Sequence, residues 1–289
     1  MKVNPSGFQP KGLNPQRIAS KYSDPIQASK IYILPNAFTA GNLLFGFLAI
    51  LWCIRAKYTG EADSQSTATE FYNQAVWFIL LSFTCDALDG MVARLGGKES
   101  LFGKEFDSIV DMVSFGVAPS LMVIFMILSP LEKYPFFREI SLFIGFIYLL
   151  CAGVRLARFN VITNPLLPTL DKMKDNNNFF GLPVPAAAAL IASLVLVLNV
   201  YDLQKMSVLL PILMLLIAIL MVSNIPYPSF KSIDWNTQAT PTMFFILACS
   251  GTAIFFYRFG AISLLFLGYI FFGITRQIIN TIKSKRINR

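Results

Sequence analysis

From residue 34 onward, apolar runs about 20 residues long follow one another with only short polar breaks, and each is long enough to cross a bilayer as a helix. In hydrocarbon a backbone must satisfy its own hydrogen bonds, so runs of this kind admit helices and little else. The runs fall near 34–54, 74–94, 105–128, 139–160, 183–200, 206–224, 241–257 and 259–277. Pro130, Pro135, Pro165 and Pro168 mark breaks, as does the polar stretch from Asp171 to Asn178, whereas Arg258 and Gly260 are nearly all that separates the last two runs. The composition agrees: 14% of residues are charged and mean hydropathy is +0.59, against about 25% charged in soluble domains. The expectation is an all-α polytopic transmembrane bundle of about eight spans. It divides into a cytoplasmic or interfacial segment (1–30), a membrane domain (31–277) and a basic cytoplasmic tail (278–289).

Charge placement orients this bundle. With both ends on one side of the membrane, 18 of the 24 lysines and arginines share that side, chiefly in the two terminal segments, the 94–104 loop and the 155–174 region. Arg55, Lys57, Lys133, Arg138, Lys205 and Arg258 fall opposite. The excess of positive charge marks the cytoplasmic side, so both termini are expected there and the number of spans is even. Residues 1–30 have no apolar stretch of signal-peptide type, and the part from Arg17 to Lys30 is read as a short helix lying on the membrane surface. A net charge of +8 could serve nucleic acid, but the basic residues cluster at the ends without interleaved aromatics, so no nucleic-acid partner is expected.

The chain contains no histidine, which removes Ser-His-Asp catalysis, His-ligated zinc and phosphohistidine chemistry. Cys53, Cys85, Cys151 and Cys249 all lie in apolar runs without C-x-x-C spacing and are read as small core residues.

Ionisable residues at membrane depth are costly, so those present are candidates for function. The densest group reads Asp86-Ala-Leu-Asp89-Gly90-Met-Val-Ala93-Arg94, followed by eight residues to Gly103 and then Lys-Glu-Phe-Asp107-Ser-Ile-Val-Asp111. Asp86 and Asp89 are three apart and Asp107 and Asp111 four apart, so each pair shares a helix face. A loop containing Gly96 and Gly97 can fold the two helices into a hairpin that brings four carboxylates together. So many like charges need cations to remain ionised, and all-oxygen ligation suits Mg²⁺ or Mn²⁺, as a pair. Two such ions beside an arginine suit phosphoryl-type transfer. Gly90 permits close approach of a ligand to the backbone. The competing reading is a cation pathway through the membrane, as in a divalent-cation transporter.

The run resembles the motif of the CDP-alcohol phosphotransferases, D-x2-D-G-x2-A-R-x8-G-x3-D-x3-D, with all eight fixed positions present. The resemblance implies a dinuclear metal site on Asp86, Asp89, Asp107 and Asp111, with Asp111 also the general base. It implies a CDP-linked lipid donor whose diphosphate meets the metals and Arg94, with Gly90, Ser100 and Gly103 near the cytidine nucleotide. Pro35-Asn36-Ala-Phe-Thr39 is similar to the family's P-N-x-x-T pattern, which would place Asn36 and Thr39 toward the donor. Asn36 taken alone reads equally well as a helix N-cap.

The acceptor is less constrained. Arg155 and Arg158, three apart, offer bidentate partners for a carboxylate or a phosphate; they also read as topology arginines at a membrane boundary. The stretch Arg155-Leu-Ala-Arg158-Phe-Asn160, Gly181-Leu-Pro183-Val184-Pro185 and Tyr227-Pro228-Ser229-Phe230-Lys231 resemble the family's phosphatidylserine synthases, although Val184 stands where Ser or Thr is commoner. Pro183 and Pro185 also suit the start of the fifth span on structural grounds alone. This likeness implies CDP-diacylglycerol and L-serine as substrates, a homodimer, and a site at the cytoplasmic face of the cell membrane. The alternative acceptors are inositol phosphate and glycerol 3-phosphate.

Overall fold

Seven of the eight apolar runs are helical in the computed structural model, which describes residues 33–62, 65–96, 101–128, 135–162, 178–228 and 260–287. The helices are α1 (Ile33–Ala62), α2 (Gln65–Gly96), α3 (Leu101–Asp111), α4 (Ala118–Leu128), α5 (Pro135–Ile162), α6 (Val184–Val200), α7 (Leu209–Val222) and α8 (Gly260–Ile287). A single π-helical segment, Met112–Val117, joins α3 to α4, so the two form one continuous rod. The run at 241–257, the segment from Arg17 to Lys30, Ser100 and Cys249 lie outside the described residues.

Among the described residues, five stretches are long and apolar enough to cross a membrane: residues 36–59, 67–92, 101–127, 140–162 and 205–222. The chain is therefore a multi-pass membrane protein. Residues 184–200 and 262–275 are apolar but shorter; 17 residues of helix rise only about 26 Å. α8 continues without a break across residue 277, where the sequence suggested that a separate tail begins.

The short α6 is the packing centre. Its Ala186–Ala189 run is almost wholly buried, as are Leu190, Ile191, Ala192, Val195 and Leu196. Small side chains let neighbouring helix backbones come close where lipid gives no hydrophobic drive for association, and α6 touches α2, α8, α7 and the π segment. Pro183, in extended conformation, caps this helix, and Pro185 lies in its first turn, where missing N–H groups cost nothing. Of the cysteines, Cys53 is fully buried as expected, whereas Cys85 and Cys151 are only half-buried.

The all-α expectation needs one correction. Asn178–Phe180 pairs antiparallel with Pro226–Pro228, with Phe179 opposite Tyr227. The ribbon is short because Tyr227 stands between two prolines and is the one residue of its strand with an N–H to donate. Gly181, just after the first strand, has φ +84° and donates to Ile225 O at 2.9 Å. A Cβ there would lie 2.1 Å from Met221 O, so the close join between this turn and the end of α7 requires glycine.

Candidate active site

The site lies where α1, α2, α3 and α5 meet beside the π segment. One carboxylate oxygen each from Asp86 (α2), Asp107 and Asp111 (α3) fall within 4.8 Å of one another, and Asp111 is buried. Asp89 stands outside that group: it is buried and accepts a hydrogen bond from Thr39 Oγ1 of α1. Helix geometry explains the difference. Residues four apart diverge by about 40° and those three apart by about 60° the other way, at 3.6 residues per turn. Asp107 and Asp111 thus both face α2, while Asp89 turns from Asp86 toward α1.

Asn42 of α1, fully buried, is a functional neighbour that sequence reasoning missed. Its Nδ2 donates to Asp111 Oδ1 at 3.2 Å, and its carbonyl accepts from Ser82 at 2.7 Å and Ser114 at 3.1 Å. A backbone carbonyl inside a helix has its own partner, so two further hydroxyl donors pin this turn of α1 against both α2 and the π segment. The signal was present: Asn36, Thr39 and Asn42 recur every three residues in an otherwise apolar span. Asn36 is the fourth residue of α1, which rules out the N-cap reading, and its Nδ2 is buried with no hydrogen-bond partner among the described residues.

The π segment begins immediately after Asp111. Such a widened turn loosens the regular ladder and recurs at functional sites. Here the Tyr148 hydroxyl of α5, wholly buried, donates to Phe115 O at 3.0 Å, supplying a donor within that turn. Gly46 lets α1 close on the segment, since a Cβ at that position would sit 2.2 Å from Ser114 Oγ.

α5 reaches the site with Arg155, whose charge interacts with Asp111 and Asp86, and whose guanidinium lies over Phe159 at 5.4 Å. A cation here offsets part of the carboxylate repulsion. Arg158 does not accompany it: it is exposed, and its Nη2 donates to Asn224 Oδ1 at 2.8 Å. The two arginines expected to act together thus diverge. Asn160 fastens the end of α5 to α3, donating to Ser108 Oγ at 2.9 Å and to Glu105 Oε2 at 3.2 Å, and its carbonyl accepts from Lys104 Nζ at 3.4 Å. Gly90 (α2) and Gly103 (α3) flank the carboxylates in sequence, and Gly90 is half-buried. Arg94 belongs to the last turns of α2, and its side chain is outside what the structure describes.

The donor set suits a hard divalent cation. Three carboxylates converge with no imidazole or thiolate among them, and oxygen-only ligation fits Mg²⁺ or Mn²⁺ better than zinc. Thr39 and Asn42 hold two of the four aspartates from behind, as outer groups orient ligands at metal centres.

Comparison with known proteins identifies the family. A family model described as CDP-alcohol phosphatidyltransferase matches residues 32–226. A CDP-diacylglycerol–serine O-phosphatidyltransferase of Helicobacter pylori (strain J99) is 33% identical over 255 residues, covering 88% of this chain and 94% of the relative. The archaetidylserine synthase of Methanothermobacter thermautotrophicus is 32% identical over 206 residues, 71% of this chain and 73% of the relative. A CDP-diacylglycerol–serine O-phosphatidyltransferase of Bacillus subtilis is 33% identical over 202 residues, 68% and 91% of the two chains.

Proposed function

Because the chain belongs to the CDP-alcohol phosphatidyltransferase family, we propose that it transfers the phosphatidyl group of CDP-diacylglycerol to the hydroxyl of L-serine, giving phosphatidylserine and CMP. The observation that carries this reading is the convergence of Asp86, Asp107 and Asp111 within 4.8 Å of one another, with the charge of Arg155 acting on two of them. The activities named for the relatives supply the acceptor.

In this reading Asp111 takes the serine hydroxyl proton as general base. The serine oxygen forms a bond to the lipid-bearing phosphorus as the bond from that phosphorus to the CMP oxygen breaks, and CMP leaves with the electron pair. Two divalent ions, Mg²⁺ or Mn²⁺, held by Asp86, Asp89, Asp107 and Asp111, would neutralise charge on the diphosphate and the leaving group. Asn42 keeps Asp111 aimed through its 3.2 Å hydrogen bond, and Thr39 does the same for Asp89. Arg94 binds the diphosphate, while Asn36, Gly90, Ser100 and Gly103 border the nucleotide. The buried Asn36 Nδ2 then gains an acceptor from the donor lipid. Arg155 holds the serine carboxylate, and Arg158, at the outer end of the same helix, guides it inward.

The membrane setting follows from the substrate. CDP-diacylglycerol has its tails in the bilayer and its nucleotide in water, so the site belongs at the cytoplasmic face of the cell membrane. Both termini lie on that side, eight spans make up the membrane domain at 31–277 between the flanking segments 1–30 and 278–289, and the working form is a homodimer.

The test is CMP release by the purified protein with CDP-diacylglycerol, Mg²⁺ or Mn²⁺, and each acceptor supplied separately. Release with serine, abolished by chelator and restored by either metal, is the expected result. Release only with inositol phosphate or glycerol 3-phosphate would overturn the acceptor. No metal-dependent release with any acceptor, together with metal uptake into sealed vesicles, would overturn the enzyme in favour of a transporter.

A further inference from the structure

The rod formed by α3, the π segment and α4 runs antiparallel to α5, and hydrogen bonds between the two set their register. Asn160 Nδ2 donates to Ser108 Oγ at 2.9 Å, the Tyr148 hydroxyl donates to Phe115 O at 3.0 Å, and the Ser120 hydroxyl donates to Gly145 O at 3.1 Å. Pairing 108 with 160, 115 with 148 and 120 with 145 carries position 111 to the level of 154 or 155 on α5. Glycines keep the approach close there: a Cβ at Gly153 would lie 3.0 Å from Met112 Cε, and one at Gly116 would lie 3.0 Å from Leu149 Cδ1. The register of the two helices therefore sets Arg155 level with Asp111.

Arg155 lies between two of these fastenings, seven residues after Tyr148 and five before Asn160. Tyr148 is wholly buried in the bundle, whereas Asn160 is half-buried near the end of α5. Its Nδ2 also reaches Glu105 Oε2 at 3.2 Å. Its carbonyl, one of the last four of the helix and so without an intrahelical donor, accepts from Lys104 Nζ at 3.4 Å. Phe159, the residue before it, holds Lys104 Nζ at 5.8 Å and the Arg155 guanidinium at 5.4 Å over one ring. This clasp joins Lys104, Glu105 and Ser108 of α3 to the turn of α5 that follows Arg155.

We propose that Asn160 is a positioning residue, which fixes the span between the Asp111 carboxylate and the Arg155 guanidinium and thereby selects acceptors by length. The inference rests on the reading of Asp111 as the base and Arg155 as the anchor of the acceptor's carboxylate. An acceptor so bound bridges two helices, its hydroxyl on one and its anionic group on the other. L-Serine carries these groups on adjacent carbons, so the span must be short and constant. Holding it constant lowers the ordering cost of binding and keeps the hydroxyl in reach of the base. With the clasp open, the end of α5 is free to move from α3, and a longer acceptor fits as readily as the short one.

The full-length wild type is first assayed by CMP release with L-serine, inositol phosphate and glycerol 3-phosphate, where a wrong acceptor in the functional reading shows by itself. Asn160→Ala and Ser108→Ala are then measured with the acceptor that the wild type uses and, against L-serine, with L-homoserine, which is one methylene longer. Asn160→Ala should raise the acceptor KM about tenfold, the scale of the hydrogen bonds it removes, and leave the KM for CDP-diacylglycerol unchanged. L-Homoserine should lose little, so the preference for L-serine in kcat/KM, about 10- to 200-fold for one methylene, falls by a similar factor. Ser108→Ala removes a single hydroxyl and carries the test if the larger change prevents folding; it should move both values the same way. In the double variant the two effects should not add, as expected of partners in one contact. An acceptor KM within twofold of wild type in both variants would overturn the proposal. So would unchanged selectivity, or a parallel rise in both KM values with a lower melting temperature. No release by the wild type with any acceptor would overturn the functional reading and this inference with it.

Discussion

Replacing Gly46 with alanine is the most informative single perturbation, because it touches no reacting group and yet acts on the site through one interhelical contact. The added Cβ would lie 2.2, 2.7 and 2.8 Å from Oγ, Cβ and Cα of Ser114. Ser114 can rotate its hydroxyl away, but that sacrifices its 3.1 Å hydrogen bond to Asn42 O. The clash with the backbone of Ser114 stays whatever its side chain does. Relaxing that approach from 2.8 Å to 3.4 Å, the lower edge of ordinary van der Waals separation, moves α1 away from the π segment by about 0.6 Å. Asn42 is one helical turn away, and its hydrogen bond to Asp111 is already 3.2 Å long. An added shift of that size takes the bond past the useful range. Since a misplacement of about 1 Å costs about 100-fold in rate, kcat should fall about 10- to 100-fold. Overpacking of this kind also costs about 1–3 kcal/mol of stability. The assay is CMP release alongside thermal unfolding in detergent, with Gly268→Ala as comparator, since a Cβ at Gly268 meets nothing within 4 Å among the described residues. A Gly46→Ala protein with wild-type kcat and melting temperature would refute the chain of reasoning from glycine to base.

Three other outcomes follow from the same geometry. Asp111→Asn should abolish turnover while nucleotide binding, measured by CMP competition, persists; turnover near the wild-type rate would remove Asp111 as the base. Thr39→Val deletes the hydroxyl that donates to Asp89 and should weaken metal activation about 10- to 100-fold, read as the Mg²⁺ or Mn²⁺ concentration for half-maximal rate, with full activity recoverable at high metal. Gly181→Ala must accommodate both φ +84° and a Cβ 2.1 Å from Met221 O, so it should lower the yield of folded protein and the melting temperature by more than any alanine substitution on a lipid-facing position.

Helical architecture and the carboxylate motif were legible in the sequence because both depend on short-range geometry. A 20-residue apolar run leaves the backbone one way to satisfy its hydrogen bonds in lipid, and aspartates four apart on a helix must share a face. Asp107 and Asp111 meet accordingly. The same rule was pressed too far at spacing three: Asp86 joins the cluster while Asp89 turns to Thr39, and Arg155 turns inward while Arg158 bonds Asn224. About 60° of divergence is enough to send neighbours to different helices once those helices are in place.

By itself, then, the sequence determined that this chain is a bundle of membrane helices and which residues are candidates to carry its chemistry. Tertiary structure alone decided which helices approach closely and what stands behind each ligand. Gly46 and the alanines of α6 mean little until a facing backbone occupies the space they leave, and the π turn after Asp111 is met by a donor, the Tyr148 hydroxyl, that comes from another helix. Asn42 becomes part of the site for the same reason. In lipid no hydrophobic drive selects helix pairings, so close packing of small residues and buried hydrogen bonds between distant positions must do so.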